Sequence, residues 1–388
     1  MRIVRPIHIV LASVAALAIA VAALAATTGS AHRHALATAT PGPIVSVPAS
    51  GRLPRDFFGI VTEDVFAHPG TYRTRTLNRE AGIGLGLVRQ TFDWASVERT
   101  RGAYDFAPYD GFVAALALHR MRVLPVLLDP PKFRSSAPSH GAKPGTYPPA
   151  NYADMGTFAA ALVRRYGPHG TFWKQRPTLP KMYVKSWQIW NEPSLPAYWP
   201  SGPDAAQYTR LLQTVGAAIK QVDPHAEIVT AGIPQSRLGI PFSTFLRGMY
   251  AAGARSAFDT LAIHPYAEND SGVAAAVRLA RQIMNAHGDR ATPIWVTEMG
   301  WASGGPRSPF TVGTRGQAQR IRTTFPTLVG IRSQVHLRGI VYFGWRDGAP
   351  YAPSFKDFWG LHTGLLTLHN TPKPAFDAMK QTLARLRR

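Results

Sequence analysis

The chain contains no cysteine among its 388 residues. A disulfide framework, a thiol nucleophile and a thiolate metal site are therefore excluded, whereas export is not, because many secreted proteins carry no disulfides. Acidic residues are also scarce, with 22 Asp and Glu against 43 Lys and Arg and a formal net charge of +21. No basic run interleaved with aromatics accompanies that excess, so nucleic acid is not expected as a partner. The charge suits anionic wall polymers, a membrane surface or an acidic polysaccharide, and equally a basic habit spread over the whole surface. Internal repeats and a second linker are missing, as is a Gly-rich phosphate turn after an early strand. The GIGLG at Gly82 to Gly86 precedes its strand and reads as a helix stop.

With 45% hydrophobic and 17% charged residues, the chain can bury a substantial core. It opens on Arg2 and Arg5 followed by an apolar run from Ile7 to Ala26. This pattern predicts an export signal within residues 1–37, with Ala23-Leu24-Ala25 or Ala35-Leu36-Ala37 as the cleavage site. The run also approaches the roughly 20 residues that span a bilayer, so an uncleaved anchor is the alternative. Either outcome places the rest outside the cytoplasm, secreted or anchored, because the positive flank stays inside. Residues 1–37 hold three arginines and no acid, so their removal leaves +18. Residues 38–50 read as a Pro, Ser and Thr-rich linker, and 51–388 as a single domain.

Within that domain short apolar runs alternate with amphipathic stretches. Eight strands are expected, at 56–61, 86–90, 122–128, 183–190, 227–232, 260–266, 293–298 and 339–345. Segments such as AAQYTRLLQTVGAAIKQV between them have apolar residues at helical spacing. An eightfold βα repeat of this length closes most simply into an α/β barrel, the (β/α)8 TIM barrel, with an open doubly wound sheet as runner-up.

In such a barrel the site lies at the carboxyl ends of the strands. Arg89 is expected to end the second strand, Asn191 and Glu192 the fourth, His264 and Tyr266 the sixth, Glu298 the seventh and Trp345 the eighth. KSWQIWNEP places Glu192 directly after an apolar, Trp-containing strand, where a carboxylate is either tied into a salt bridge or kept for chemistry. Two carboxylates facing across a gap are what glycosidic bond cleavage requires: one protonates the leaving oxygen while the other stabilises or attacks the anomeric carbon. Asp129, Glu63, Asp64, Asp93 and Asp347 also fall near strand ends, but their spacings match no calcium loop and no His-Glu-x-x-His helix, so neither a metal nor another cofactor is expected. Trp187, Trp190 and Trp295 are assigned to the core, and Tyr198, Trp199 and Trp301 to loops that could stack on a sugar. The loop from Asp129 to Tyr152 is too long for a plain connection and is expected to shape the cleft, the alternative being a disordered insertion.

WQIWNEP together with IWVTEMGW resembles the clan of retaining (β/α)8 glycoside hydrolases, clan GH-A, and more loosely its family 39 β-xylosidases and family 5 endoglycosidases. The likeness extends to Arg89, to HPY at His264 to Tyr266, to Trp345, and to WGLHTG and PKPAF near the C-terminus. After strand three, where family 5 places a histidine, this chain has LLDPPKF with Asp129. The resemblance implies that Glu192 is the acid/base and Glu298 the nucleophile. It further implies that Asn191 holds the sugar 2-hydroxyl, that Arg89 and Tyr266 keep Glu298 ionised with support from His264, and that Trp345 offers a platform to the ring. The expected protein is a secreted, monomeric hydrolase of a polysaccharide or oligosaccharide. A non-catalytic carbohydrate-binding barrel and a transglycosidase using the same glutamates are the alternatives.

Overall fold

The structure, a computed structural model, describes residues 51–350 and 356–388. The export segment and the linker expected at 1–37 and 38–50 lie outside the described residues. Nine parallel strands form one sheet: β1 (Phe58–Val61), β2 (Leu87–Asp93), β3 (Arg122–Leu128), β4 (Ser186–Ile189), β5 (Glu227–Val229), β6 (Ile233–Pro234), β7 (Leu261–His264), β8 (Ile294–Val296) and β9 (Leu337–Phe343). Their order, β5-β4-β3-β2-β1-β9-β8-β7-β6, never reverses, as it would in a doubly wound sheet. A parallel bridge from Val229 to Thr260 joins the two ends, with Thr230 N–H donating to the Thr260 carbonyl at 3.1 Å. The sheet is thus a closed barrel, in which β5 and β6 together occupy the fifth position and are separated by Thr230 to Gly232.

Each position is followed by one long helix: α1 (Thr71–Gly82), α2 (Ala107–Leu118), α3 (Tyr152–Tyr166), α4 (Ala205–Val222), α5 (Phe242–Ala251), α6 (Asp270–Ala286), α7 (Gly313–Gly330) and α8 (Pro374–Leu386). Their starts are set by side chains that satisfy the first free N–H groups. Asn151 accepts from Ala153, Asp204 from Ala206 and Gln207, and Asn269 from Gly272. Helix α1 ends at Gly82, where the glycine cluster was expected to stop it.

Strands β1, β4 and β7 are buried at every residue, and in β4 this includes the polar Ser186 and Gln188 that alternate with Trp187 and Ile189. One face packs on the helices. The other fills the barrel with Val61, Leu87, Leu124, Val229, Ala262, Trp295 and Val341. Trp295 is large for such an interior, and Gly339 makes room for it. A Cβ at Gly339 would lie 2.9 Å from the Trp295 indole nitrogen and 2.9 Å from the Phe57 carbonyl oxygen.

Among the described residues no helix is long and apolar enough to cross a membrane. The long connection after β3 is ordered by its packing on the loop after β4. Thr146 N–H donates to the Ala197 carbonyl at 2.8 Å, and its hydroxyl donates to Asp129 at 2.9 Å. Because the neighbours of Gly339 cannot both yield, Gly339→Ala is expected to cost about 1–3 kcal/mol. The urea midpoint should fall with an unchanged slope, and an unaltered midpoint would contradict this packing.

Candidate active site

Six of the eight residues singled out in the sequence meet at the carboxyl end of the barrel: Arg89, Asn191, Glu192, His264, Tyr266 and Glu298. Arg89 was expected at the end of β2, yet it stands in mid-strand, because β2 continues to Asp93 through pairing with β3. Its side chain forms the floor of the site. Nε donates to Gln188 at 2.7 Å, one terminal nitrogen to Glu298 Oε1 at 2.5 Å and the other to Asn191 Oδ1 at 2.8 Å. With its oxygen so occupied, Asn191 has its amide hydrogens left to offer a ligand. Gln188, absent from the expected set, is itself fixed by donating to the Thr230 carbonyl at 3.0 Å. A glutamine in the middle of the apolar KSWQIW was the available signal.

Glu192 owes its direction to strained backbone. Trp190 has φ 74° and Glu192 has φ 40°, a region costly for residues with side chains and found where surrounding contacts enforce it. Trp190 is held by its backbone bond to Leu127 and by its indole N–H donating to the Tyr198 carbonyl at 2.9 Å. Glu192 N–H donates to the Gly232 carbonyl at 3.1 Å. The result turns the indole into the core and the carboxylate into the barrel mouth.

His264 joins the two carboxylates. Its Nδ1 lies 2.8 Å from Glu192 Oε1 and 3.5 Å from Glu298 Oε2. The ring sits over the break between β5 and β6, and only glycine fits beneath it, since a Cβ at Gly232 would lie 1.9 Å from His264 Nε2. Burial and the Arg89 charge push its pKa well below the usual imidazole range, so the ring is neutral. Completely buried, it serves the carboxylates from below and does not reach the cleft surface.

The two glutamates occupy unequal environments. Burial, and then the Glu298 charge, raise the Glu192 pKa well above the ordinary carboxylate value. Of these two causes desolvation is the larger. Burial raises Glu298 too, but Arg89 and the Tyr266 hydroxyl, which donates to Oε2 at 2.9 Å, oppose it. Glu298 is therefore the one that ionises first, leaving the proton on Glu192.

Trp345 and Trp199 are not brought to this cleft. Trp345 lies between the helices, its ring 5.9 Å from Phe376 of α8 and 5.8 Å from the Arg79 guanidinium of α1. Strand β9 ends at Phe343, so the inward alternation of Gly339, Val341 and Phe343 does not carry on to Trp345. Phe343 is the aromatic of β9 that faces the site. Trp199 is fully buried, edge-on to Trp190 at 6.0 Å. Trp301 is likewise buried, its indole donating to the Ala267 carbonyl.

Of the other acids near strand ends, Asp64 is paired with Arg346, Asp347 with Lys373, and Asp93 caps a short helix through Ser96 N–H. Glu63 differs from these, lining the same cavity as Glu298 and Asn191 with its pKa pushed up to about 8 by burial and by Asp64. That cavity is walled by Tyr198 and Phe343.

Glu192, His264 and Glu298 each offer an atom within 4.8 Å of the others, a spacing that a cation could also use. The Arg89 guanidinium beside Glu298 makes the trio a poor cation site, since a divalent ion would face a fixed positive charge at short range. The arrangement suits instead the sharing of one proton between two carboxyl groups across a small gap.

A family model described as a glycosyl hydrolase catalytic core matches residues 183–349, from the approach to β4 to just beyond β9. The matched stretch is under half of the chain. No curated protein matches the sequence. Among solved structures, the fold is similar to a family 39 glycoside hydrolase from the gut symbiont Bacteroides cellulosilyticus WH2, at 20% identity over 87% of this chain and 64% of that one, with a TM-score of 0.61. It is also similar to a family 39 enzyme from Xanthomonas axonopodis pv. citri, at 19% identity, 87% and 68% coverage and a TM-score of 0.64. A third match is a family 39 β-xylosidase from Caulobacter crescentus, at 21% identity, 87% and 73% coverage and a TM-score of 0.62. At these identities the likeness is one of fold. The chain spans under two thirds of the Bacteroides enzyme's own length.

The raised pKa of Glu192 has a consequence for stability. The unfolded carboxyl titrates near 4.5 and the folded one well above it, so stability present below that value is lost as pH rises through the folded pKa. Glu192→Gln removes this loss. Thermal unfolding of variant and wild type should nearly coincide at about pH 4 and separate by about 2 °C or more in the variant's favour at about pH 9. A gap that narrows with rising pH would contradict the assignment.

Proposed function

We propose that this chain is an exported, retaining glycoside hydrolase in which Glu298 is the nucleophile and Glu192 the acid/base. The observation that carries the reading is the approach of one oxygen of each glutamate to within 4.8 Å of the other, bridged by His264. Retaining enzymes hold their two carboxyl groups roughly 5–5.5 Å apart, whereas inverting ones leave roughly 6.5–9.5 Å for a water.

In the first step Glu298 attacks the anomeric carbon while the Glu192 O–H gives its proton to the departing glycosidic oxygen. The glycosyl group is then an ester of Glu298. Because Glu298 has lost its charge, the proton affinity of Glu192 falls, and it can take a proton from water. The water oxygen bonds to the anomeric carbon, the ester bond breaks, and both carboxyl groups return to their starting states. Arg89 and Tyr266 stabilise Glu298 as the carboxylate that leaves, and the Asn191 amide hydrogens face the sugar 2-hydroxyl. Phe343 takes the role of ring platform that the resemblance gave to Trp345. A non-catalytic sugar-binding barrel would need neither the strained backbone at Glu192 nor a proton held on it. Export rests on Arg2, Arg5 and the apolar run that follows them in the sequence.

A screen of activated aryl glycosides and polysaccharides tests the reading. Glu298→Ala should lower kcat/KM at least about 10⁴-fold. Glu192→Ala should slow substrates with poor leaving groups by about 10²–10⁴-fold and spare the first step for good ones. The first-formed sugar, followed by proton NMR, should keep the anomeric configuration of the substrate. An inverted product, or wild-type rates in Glu298→Ala, would sink the mechanism.

A further inference from the structure

Charge is distributed unevenly along the barrel axis. The segments that lead into the strands at the base, opposite the site, together with Arg387 and Arg388 after α8, hold twelve Lys or Arg against four Asp and no Glu. The segments that leave the strands at the mouth hold ten Lys or Arg against eleven Asp or Glu. The acids at the base do little to neutralise it. Asp223 and Asp289 are buried, Asp56 lies 3.3 Å from Arg338, and Asp259 lies 2.9 Å from Lys220. By contrast Arg52, Arg120, Lys174, Lys185, Arg290 and Arg388 are exposed. A groove of about 600 Å³ opens on this face, with Arg52, Arg332, Arg387 and Arg388 around the apolar Leu53 and Leu386.

Gly51, the first described residue, lies at the same groove. In the sequence only 24 residues separate it from the apolar run ending at Ala26, a span of at most about 85 Å. We propose that the base of the barrel docks on an anionic phospholipid bilayer, leaving the mouth turned away from the membrane. The chemistry is that of basic side chains condensed on a negatively charged surface, an attraction confined to about a Debye length. The short sequence separation between Gly51 at the groove and an apolar run favours a bilayer over a soluble polyanion. The inference is independent of the reaction performed at the mouth.

Lysine acetylation footprinting of the full chain, read by mass spectrometry, tests it whether or not the N-terminal segment is retained. Vesicles of phosphatidylglycerol with phosphatidylcholine are compared with phosphatidylcholine alone. On the anionic vesicles Lys174, Lys181 and Lys185 should be acetylated about fivefold more slowly, while Lys132 and Lys143 in the loop after β3 keep their rates. Salt at about 0.5 M should remove the protection. The triple variant Lys174→Glu, Lys185→Glu, Arg290→Glu should lose it at Lys181. Equal protection on neutral vesicles, protection of Lys132 and Lys143, or equal protection by soluble polyphosphate would each overturn the proposal.

Discussion

Arg89 is the group on which the rest of the site depends. A guanidinium buried at the mouth of a barrel is tolerable only if its donors are matched, and here Gln188, Asn191 and Glu298 receive them. Its planar fork fixes three side chains drawn from β4, the turn after β4 and the turn after β8. Removing any partner would leave an unmatched polar group in a region with little water. Its charge also decides the electrostatics, opposing the desolvation of Glu298 and helping to hold His264 neutral. One residue in the middle of β2 thereby sets orientation and protonation together.

The site holds unfavourable features that the scaffold sustains. Two buried carboxyl groups approach closely, Trp190 and Glu192 adopt left-handed backbone, and His264 keeps a buried ring nitrogen without a hydrogen-bond partner. Each costs stability, and none is needed to close the barrel. They persist because the surrounding strands, the glycine at 232 and the loop from Leu195 to Trp199 leave the chain no cheaper arrangement. The close approach of two buried carboxyl groups is what separates this end of the barrel from the base, where the exposed charges are mostly basic.

The fold connects those two ends. A parallel barrel sends every strand in the same direction, so residues at strand ends collect at one mouth and residues at helix ends at the opposite face. Carboxylates and aromatic walls can then accumulate on one side while the other keeps its arginines and lysines with few acids to offset them, without either disturbing the packed layers between. An overall excess of basic charge becomes, in three dimensions, a polarity along the barrel axis.

Periodicity in the sequence was sufficient for the barrel, because strands buried on both faces must be apolar throughout and their helices must be amphipathic. The positions of Asn191, Glu192, His264, Tyr266 and Glu298 were legible for a similar local reason: each polar residue interrupts an apolar run where a strand ends. Distances between strands were not. The order of burial before charge at Glu192, the grip of Arg89 on Gln188 and the seat of His264 on Gly232 arise between segments dozens of residues apart. Trp345, two residues beyond the end of β9, and Trp199, ten beyond the end of β4, show the limit most clearly, since past a strand end the alternation that predicts facing no longer applies. Local pattern determined which residues could serve, and only tertiary packing decided which way their side chains point, because direction past a turn depends on neighbours the local sequence does not name.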